Sequence, residues 1–111
     1  MEQPIKVDPG IVEHYLTTLA QFGAYGETGV KRLVYSPEWV AAQEQVQQWC
    51  RDIGLETRMD GVGNVWGRID GSDGGASIVS GSHIDSQAPG GRFDGALGVV
   101  AALSAVRTLV E

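Results

Sequence analysis

Gly81-Ser82-His83-Ile84-Asp85, followed by Gly90-Gly91-Arg92-Phe93-Asp94-Gly95, is the stretch on which the reading of this chain turns. It gathers one imidazole and two carboxylates on either side of a glycine-rich turn. An apolar, strand-like run over 77–80 leads in, and an apolar, helix-like run over 96–110 leads out. Ala76-Ser77-Ile78-Val79-Ser80-Gly81 lacks strict alternation, which predicts a strand buried on both faces in a helix-covered sheet. Ligands bind beyond the carboxyl ends of such strands, and His83 sits at that end. Neutral imidazole suits zinc, cobalt, nickel or manganese. Asp85, two residues on, faces the same way in extended chain and can orient the ring. Asp94 falls where the last helix begins, with two oxygens that can bridge two ions.

Each residue also has a plainer reading. Asp94 before Gly95-Ala96-Leu97 makes a good helix N-cap. Asp85 can serve a turn and His83 a satisfied core position. Their joint order around the Gly-Gly turn favours metal. A phosphate cradle is disfavoured, because Asp94 would repel the anion and neither G-x-G-x-x-G nor a Walker pattern is present.

Outward from this stretch, Gly95 to Val110 is apolar nearly all round, so the helix is expected to be buried on most sides. Asp70 to Gly75 reads as an exposed turn. Leu55–Met59 and Asn64–Ile69 read as a hairpin around Asp60-Gly61-Val62-Gly63, with Asn64 explained by turn chemistry. Ser36-Pro37-Glu38 starts a helix whose Trp39, Ala42, Val46, Trp49, Cys50 and Ile53 share one face, with Gly54 beyond its end. Gly23 to Tyr35 reads as a loop. Asp8-Pro9 starts an amphipathic helix carrying Val12, Tyr15, Leu16, Leu19 and Phe22, ending near Gly23. The order α-α-β-β-β-α predicts the α/β class.

The 111 residues make one domain or part of one. Burying the last helix needs more partners than the other elements supply, so the sequence is expected to be part of something larger. Hydrophobic content of 42% with three Trp fits a globular core. A net charge of -6 without a basic cluster argues against nucleic acid and anionic membranes as partners. Cys50, the single cysteine, reads as a core residue with no nearby His or Lys to activate it. Met1 to Asp8 lacks the apolar run of a secretory signal, and no run spans a membrane. A soluble cytoplasmic protein is the expectation.

Gly81-Ser82-His83-Ile84-Asp85-Ser86 and Gly90-Gly91-Arg92-Phe93-Asp94-Gly95-Ala96-Leu97-Gly98-Val99 closely resemble the amidase/hydantoinase/carbamoylase branch of the dinuclear metallo-aminoacylase and carboxypeptidase superfamily. N-carbamoyl-L-amino-acid hydrolases, beta-ureidopropionases and allantoate amidohydrolases belong to that branch. Thr28 through Ser36, Gly54-Leu55 and Asp60 through Val65 extend the likeness, which runs from about Gly26 to the end. The resemblance implies that 1–111 is the N-terminal portion of a metallohydrolase catalytic domain, part of a zinc-exopeptidase-like mixed sheet, truncated and without its lid domain. It implies that His83 ligates one ion and Asp94 bridges two, the ions being Zn, Mn, Co or Ni in the complete enzyme. Asp85 takes a catalytic-site role by holding the imidazole. The implied reaction is hydrolysis of a linear amide in an N-carbamoyl-L-amino acid or ureido acid, by a protein that is usually a homodimer.

The family's Glu-Glu pair and later histidines have no counterpart here. His14 reads as a surface residue, and Glu111 closes a helix rather than supplying the missing base. Ser86 stands where many relatives have Thr. The isolated chain is therefore expected to be inactive and to bind metal weakly. The alternatives are a related aminoacylase or dipeptidase, and a non-catalytic truncated module whose apolar helix pairs with a partner.

Overall fold

The computed structural model describes residues 4–111. The elements are helix α1 (Pro9–Leu19), strands β1 (Ala24–Tyr25) and β2 (Gly29–Val30), helix α2 (Pro37–Asp52), strands β3 (Glu56–Met59), β4 (Val65–Arg68) and β5 (Gly90–Gly91), and helix α3 (Ala96–Val110). Helix and sheet are mixed, and both sheets are antiparallel. One runs β1-β2-β5 and the other pairs β3 with β4.

The two capping signals act as the sequence predicts. The Asp8 carboxylate accepts from Gly10 N, and the Ser36 hydroxyl accepts from Trp39 N. Each satisfies an amide that the first turn leaves without a partner. Helix α1 closes at Leu19, before Gly23. Gly23 has a φ of 79°, and a Cβ there would lie 2.4 Å from the Lys31 carbonyl oxygen. Close passage of two backbones, rather than a helix end, sets that glycine.

Tyr15 and Leu19 of α1, Trp39, Ala42, Val46, Trp49 and Cys50 of α2, and Ala96, Val100 and Leu103 of α3 form one core with Leu55 and Ile84. Each large side chain in it contributes roughly 1.5–3 kcal/mol through burial. Tyr15 and Trp49 lie 4.3 Å apart between ring centroids. Arg107 of α3 spans the Tyr15 ring and donates to its hydroxyl at 3.0 Å, tying α3 to α1. Cys50 is buried, and burial pushes its thiol pKa up, as expected of a packing residue rather than a nucleophile.

Three expectations need correction. Residues 76–81 form no strand among the described residues, and Ile78 is fully exposed. Burial on both faces requires a neighbouring strand and a layer on each side. Among the described residues no strand pairs with 76–81. Helix α3 buries a single face, and Leu97 and Leu109 lie open to solvent. Its one extensive helical neighbour is α1. The supposed loop over 23–35 contains β1 and β2. Hydrogen bonding there needs only short backbone segments, and Gly29 passes close to Tyr25, whose carbonyl oxygen a Cβ would meet at 2.8 Å.

The hairpin loop is built on Asp60. Its carboxylate accepts from Val62 N, Asn64 N, Asn64 Nδ2 and Trp66 Nε1. These donors favour the anion and hold the Asp60 pKa well below the carboxylate range. A depressed folded-state pKa means that the stabilisation is fully present above the unfolded value of about 3.9 and fades as pH falls through the folded value. Acidification well below the ordinary carboxylate range is therefore expected to break the Trp66 indole hydrogen bond to Asp60. The Trp66 Nε1–H resonance should move toward its free position in acid, whereas in Asp60→Ala it should already be there at pH 7.

Candidate functional site

Burial alternates along the segment that carries the motif: His83 is exposed, Ile84 buried, Asp85 partly exposed and Ser86 buried. Ile84, 4% exposed, anchors the segment in the core and leaves its two neighbours on the same side. His83 Nδ1 lies 3.1 Å from Asp85 Oδ1 and 3.2 Å from the Asp85 carbonyl oxygen. Both partners are acceptors, so in the neutral ring they select the Nδ1–H tautomer, whose Nε2 carries the lone pair. That nitrogen points toward Asp94, whose Oδ2 is 3.9 Å away. The sequence-predicted trio is thus brought together: Asp85 against one ring nitrogen, Asp94 facing the other.

The plainer role for Asp94 does not hold. Helix α3 begins at Ala96 with Gly95 at its cap, and no side chain caps it. The Asp94 main-chain oxygen accepts from Ala96 N at 2.8 Å, while its carboxylate stays largely exposed beside the imidazole.

Gly95 sets this approach. Its φ is 74°, and a Cβ would fall 2.4 Å from both His83 Cε1 and the His83 carbonyl oxygen. Only a residue without a side chain lets the backbone after Asp94 lie against the ring. Gly98, one turn later, meets Ser82 in the same manner, with a would-be Cβ 2.6 Å from Ser82 Cβ. The start of α3 is therefore packed directly onto 82–83. On the other side of the turn, β5 pairs with β2, and Arg92 donates to the Glu27 and Thr28 carbonyls. The Gly-Gly pair that reads as a turn signal also supplies a strand.

Sequence reasoning missed the support beneath the pair. Arg32 is 2% exposed and donates to the carbonyls of Ile84, Leu19 and Phe22 at 2.7–2.8 Å. Its backbone exchanges hydrogen bonds with Ser86: Arg32 N donates to Ser86 Oγ and Ser86 N donates to Arg32 O, both at 2.8 Å. An isolated arginine in a sequence carries no signal of burial, because these partners are backbone carbonyls that no motif displays.

His83 and Asp85 open onto a groove of about 270 Å³, walled by Trp39, Gln43 and Val46 of α2, by Asn64 and Val65 of the hairpin, and by Val99 and Leu103 of α3. Gln43 donates to the Gly63 carbonyl and Tyr35 to that of Val62, fixing the hairpin loop at the rim. Asn64 thus lines the groove as well as serving its turn. His14 is exposed, as expected, and stands apart from the motif beside Trp49. Among the described residues no group of three or more His, Cys, Asp or Glu side chains is placed to hold a metal ion.

No protein-family profile matches the chain. Individual relatives do. The allantoate amidohydrolase of Bacillus subtilis is 46% identical over 111 residues, covering 99% of this chain and 27% of that protein. The N-carbamoyl-L-amino-acid amidohydrolase of Paenarthrobacter aurescens is 43% identical over 101 residues, 90% of this chain and 24% of the relative. The crystal structure of a hydantoinase/carbamoylase family amidase from Burkholderia ambifaria superposes with a TM-score of 0.90 at 41% identity, over 96% of this chain and 26% of that one.

The chain is homologous to the hydantoinase/carbamoylase amidases. It spans about a quarter of the length of the relatives it matches. No helix among the described residues is long and apolar enough to cross a membrane.

Proposed function

We propose that this chain is the N-terminal part of the catalytic domain of a metal-dependent amidohydrolase acting on linear amides of N-carbamoyl-L-amino acids or ureido acids. The observation that carries this reading is the convergence of His83 Nε2 and Asp94 Oδ2, with Nδ1 already engaged by Asp85. The donor set fits a divalent ion. Bonds of about 2.0–2.2 Å from nitrogen and oxygen place two ligands of one ion roughly 3–4 Å apart, which the 3.9 Å separation matches. His83 would hold one ion, and Asp94 would be shared between the two. A zinc, manganese, cobalt or nickel pair supplies Lewis acidity toward the scissile carbonyl and an activated water.

The chain's own residues prepare for that chemistry. Asp85 fixes the tautomer and direction of the imidazole and raises its basicity. Gly95 lets the Asp94 backbone close on the ring. The groove of about 270 Å³ beside His83 and Asp85 is large enough to seat part of a small acyclic substrate. Two donors hold a catalytic ion weakly where three are normal, so the remaining ligands and the proton shuttle come from other residues of a complete, cytoplasmic and homodimeric enzyme. By itself the chain is inactive.

The exposed Ile78, Val79, Leu97 and Leu109 favour a second reading, a non-catalytic module that pairs with a partner chain. The frame downstream of codon 111 separates the two. A continuing frame encoding paired glutamates after a short apolar strand supports the hydrolase. The functional test is hydrolysis of N-carbamoyl-L-amino acids by the complete gene product with and without chelator. Turnover that chelator abolishes and added zinc or manganese restores is expected, and chelator-insensitive turnover overturns the metal reading.

A further inference from the structure

We propose that Arg32 is the positioning residue of the His83–Asp85 pair. Its guanidinium reaches the one carbonyl between the two, Ile84 O, at 2.7 Å, while its other arm holds the carbonyls of Leu19 and Phe22 at 2.7 and 2.8 Å. Those two oxygens belong to the last residue of α1 and the turn after it, and Leu19 O also accepts from Phe22 N. One buried side chain thus ties the end of α1 to the segment that presents the imidazole. Ser86 completes the tie by exchanging hydrogen bonds with the Arg32 backbone and donating to Val30 O.

The electrostatics agree with the geometry. Burial pushes the Arg32 pKa down, and the charge opposing this is Asp85. Among the described residues the guanidinium makes no ion pair, and its hydrogen bonds go to the three carbonyls. Held through Ile84 O, the segment keeps Asp85 against His83 Nδ1 and leaves Nε2 facing Asp94. Lysine cannot replace this group, because a single ammonium does not reproduce the planar fork that spans three carbonyls.

The proposal rests on the reading of the pair as part of a site, but its test reads the imidazole and not turnover. In the full chain, the 15N shifts of the His83 ring, recorded well above the ordinary histidine pKa, report the ratio of the Nδ1–H to the Nε2–H tautomer. Wild-type protein is expected to favour Nδ1–H. Arg32→Lys should lower the ratio roughly tenfold, an equilibrium change comparable to losing one ordinary hydrogen bond. Ser86→Ala keeps the guanidinium but frees the Arg32 backbone N–H, and should lower the ratio in the same direction by less. Val100→Ala, a core truncation in α3, provides a loss of thermal stability without touching the pair and should leave the ratio unchanged.

A wild-type ratio in Arg32→Lys, with melting lowered as in Val100→Ala, would make Arg32 scaffold alone and overturn the proposal. Where Arg32→Lys fails to fold, Ser86→Ala decides by the same criterion. The hydrolase reading stands or falls separately, on chelator sensitivity.

Discussion

Gly95→Ala is expected to destabilise the fold by roughly 3 kcal/mol or more and to drive Asp94 away from His83. Two effects add. With φ of 74° and ψ of -54°, Gly95 lies where an L side chain is strained by on the order of 1–3 kcal/mol. The new methyl would also sit 2.4 Å from the His83 carbonyl oxygen and from ring carbon Cε1. The carbonyl belongs to a backbone segment pinned on its far side by Ile84 and Arg32, so neither partner can yield cheaply. Denaturant unfolding reads the stability loss. Loss of nuclear Overhauser contacts between His83 Hε1 and residues 94–95 reads the displacement. Gly91→Ala, where a Cβ meets nothing within 4 Å, should cost far less.

Asp94→Asn is expected to lower kcat/KM of the complete enzyme by more than about 100-fold. Loss of a mere hydrogen-bonding partner of a metal ligand costs 10–100-fold. Asn keeps the size of Asp94 but gives up the charge and one anionic oxygen, both of which a carboxylate shared between cations needs. Fold stability should change little, because the Asp94 side chain is 76% exposed and caps no helix. A large activity loss at unchanged melting temperature separates a ligand from a structural aspartate.

What the sequence shows of this fold follows from local rules. Asp8-Pro9 and Ser36-Pro37 announce helix starts because capping is a matter of neighbouring atoms, and both caps form. The face of α2 from Trp39 to Cys50 is legible from 3.6-residue spacing, and it is the core. The hairpin around Asp60 to Gly63 shows through its turn residues. The segment over 76–81 misleads because composition says what a strand would bury and not what is there to cover it. In the described residues nothing pairs with it, and Ile78 faces solvent.

The site divides along the same line. His83 and Asp85 are readable because two-residue spacing puts alternate side chains on one side, and the alternation is observed. Asp94 comes within reach of the ring through a turn whose geometry no spacing rule fixes, with Gly95 as its one visible clue. Arg32 is invisible: it acts on carbonyls 52 and 13 residues away along the chain. Such long-range contacts to main chain leave no pattern of residue types.

The most direct test of the account is the metal content of the complete gene product after exhaustive dialysis, measured by elemental analysis for wild type and for His83→Ala. The account predicts a retained pair of divalent ions in wild type and loss of at least one of them in the variant, together with its turnover. A His83→Ala protein that keeps its full metal complement and still hydrolyses N-carbamoyl amino acids would contradict it.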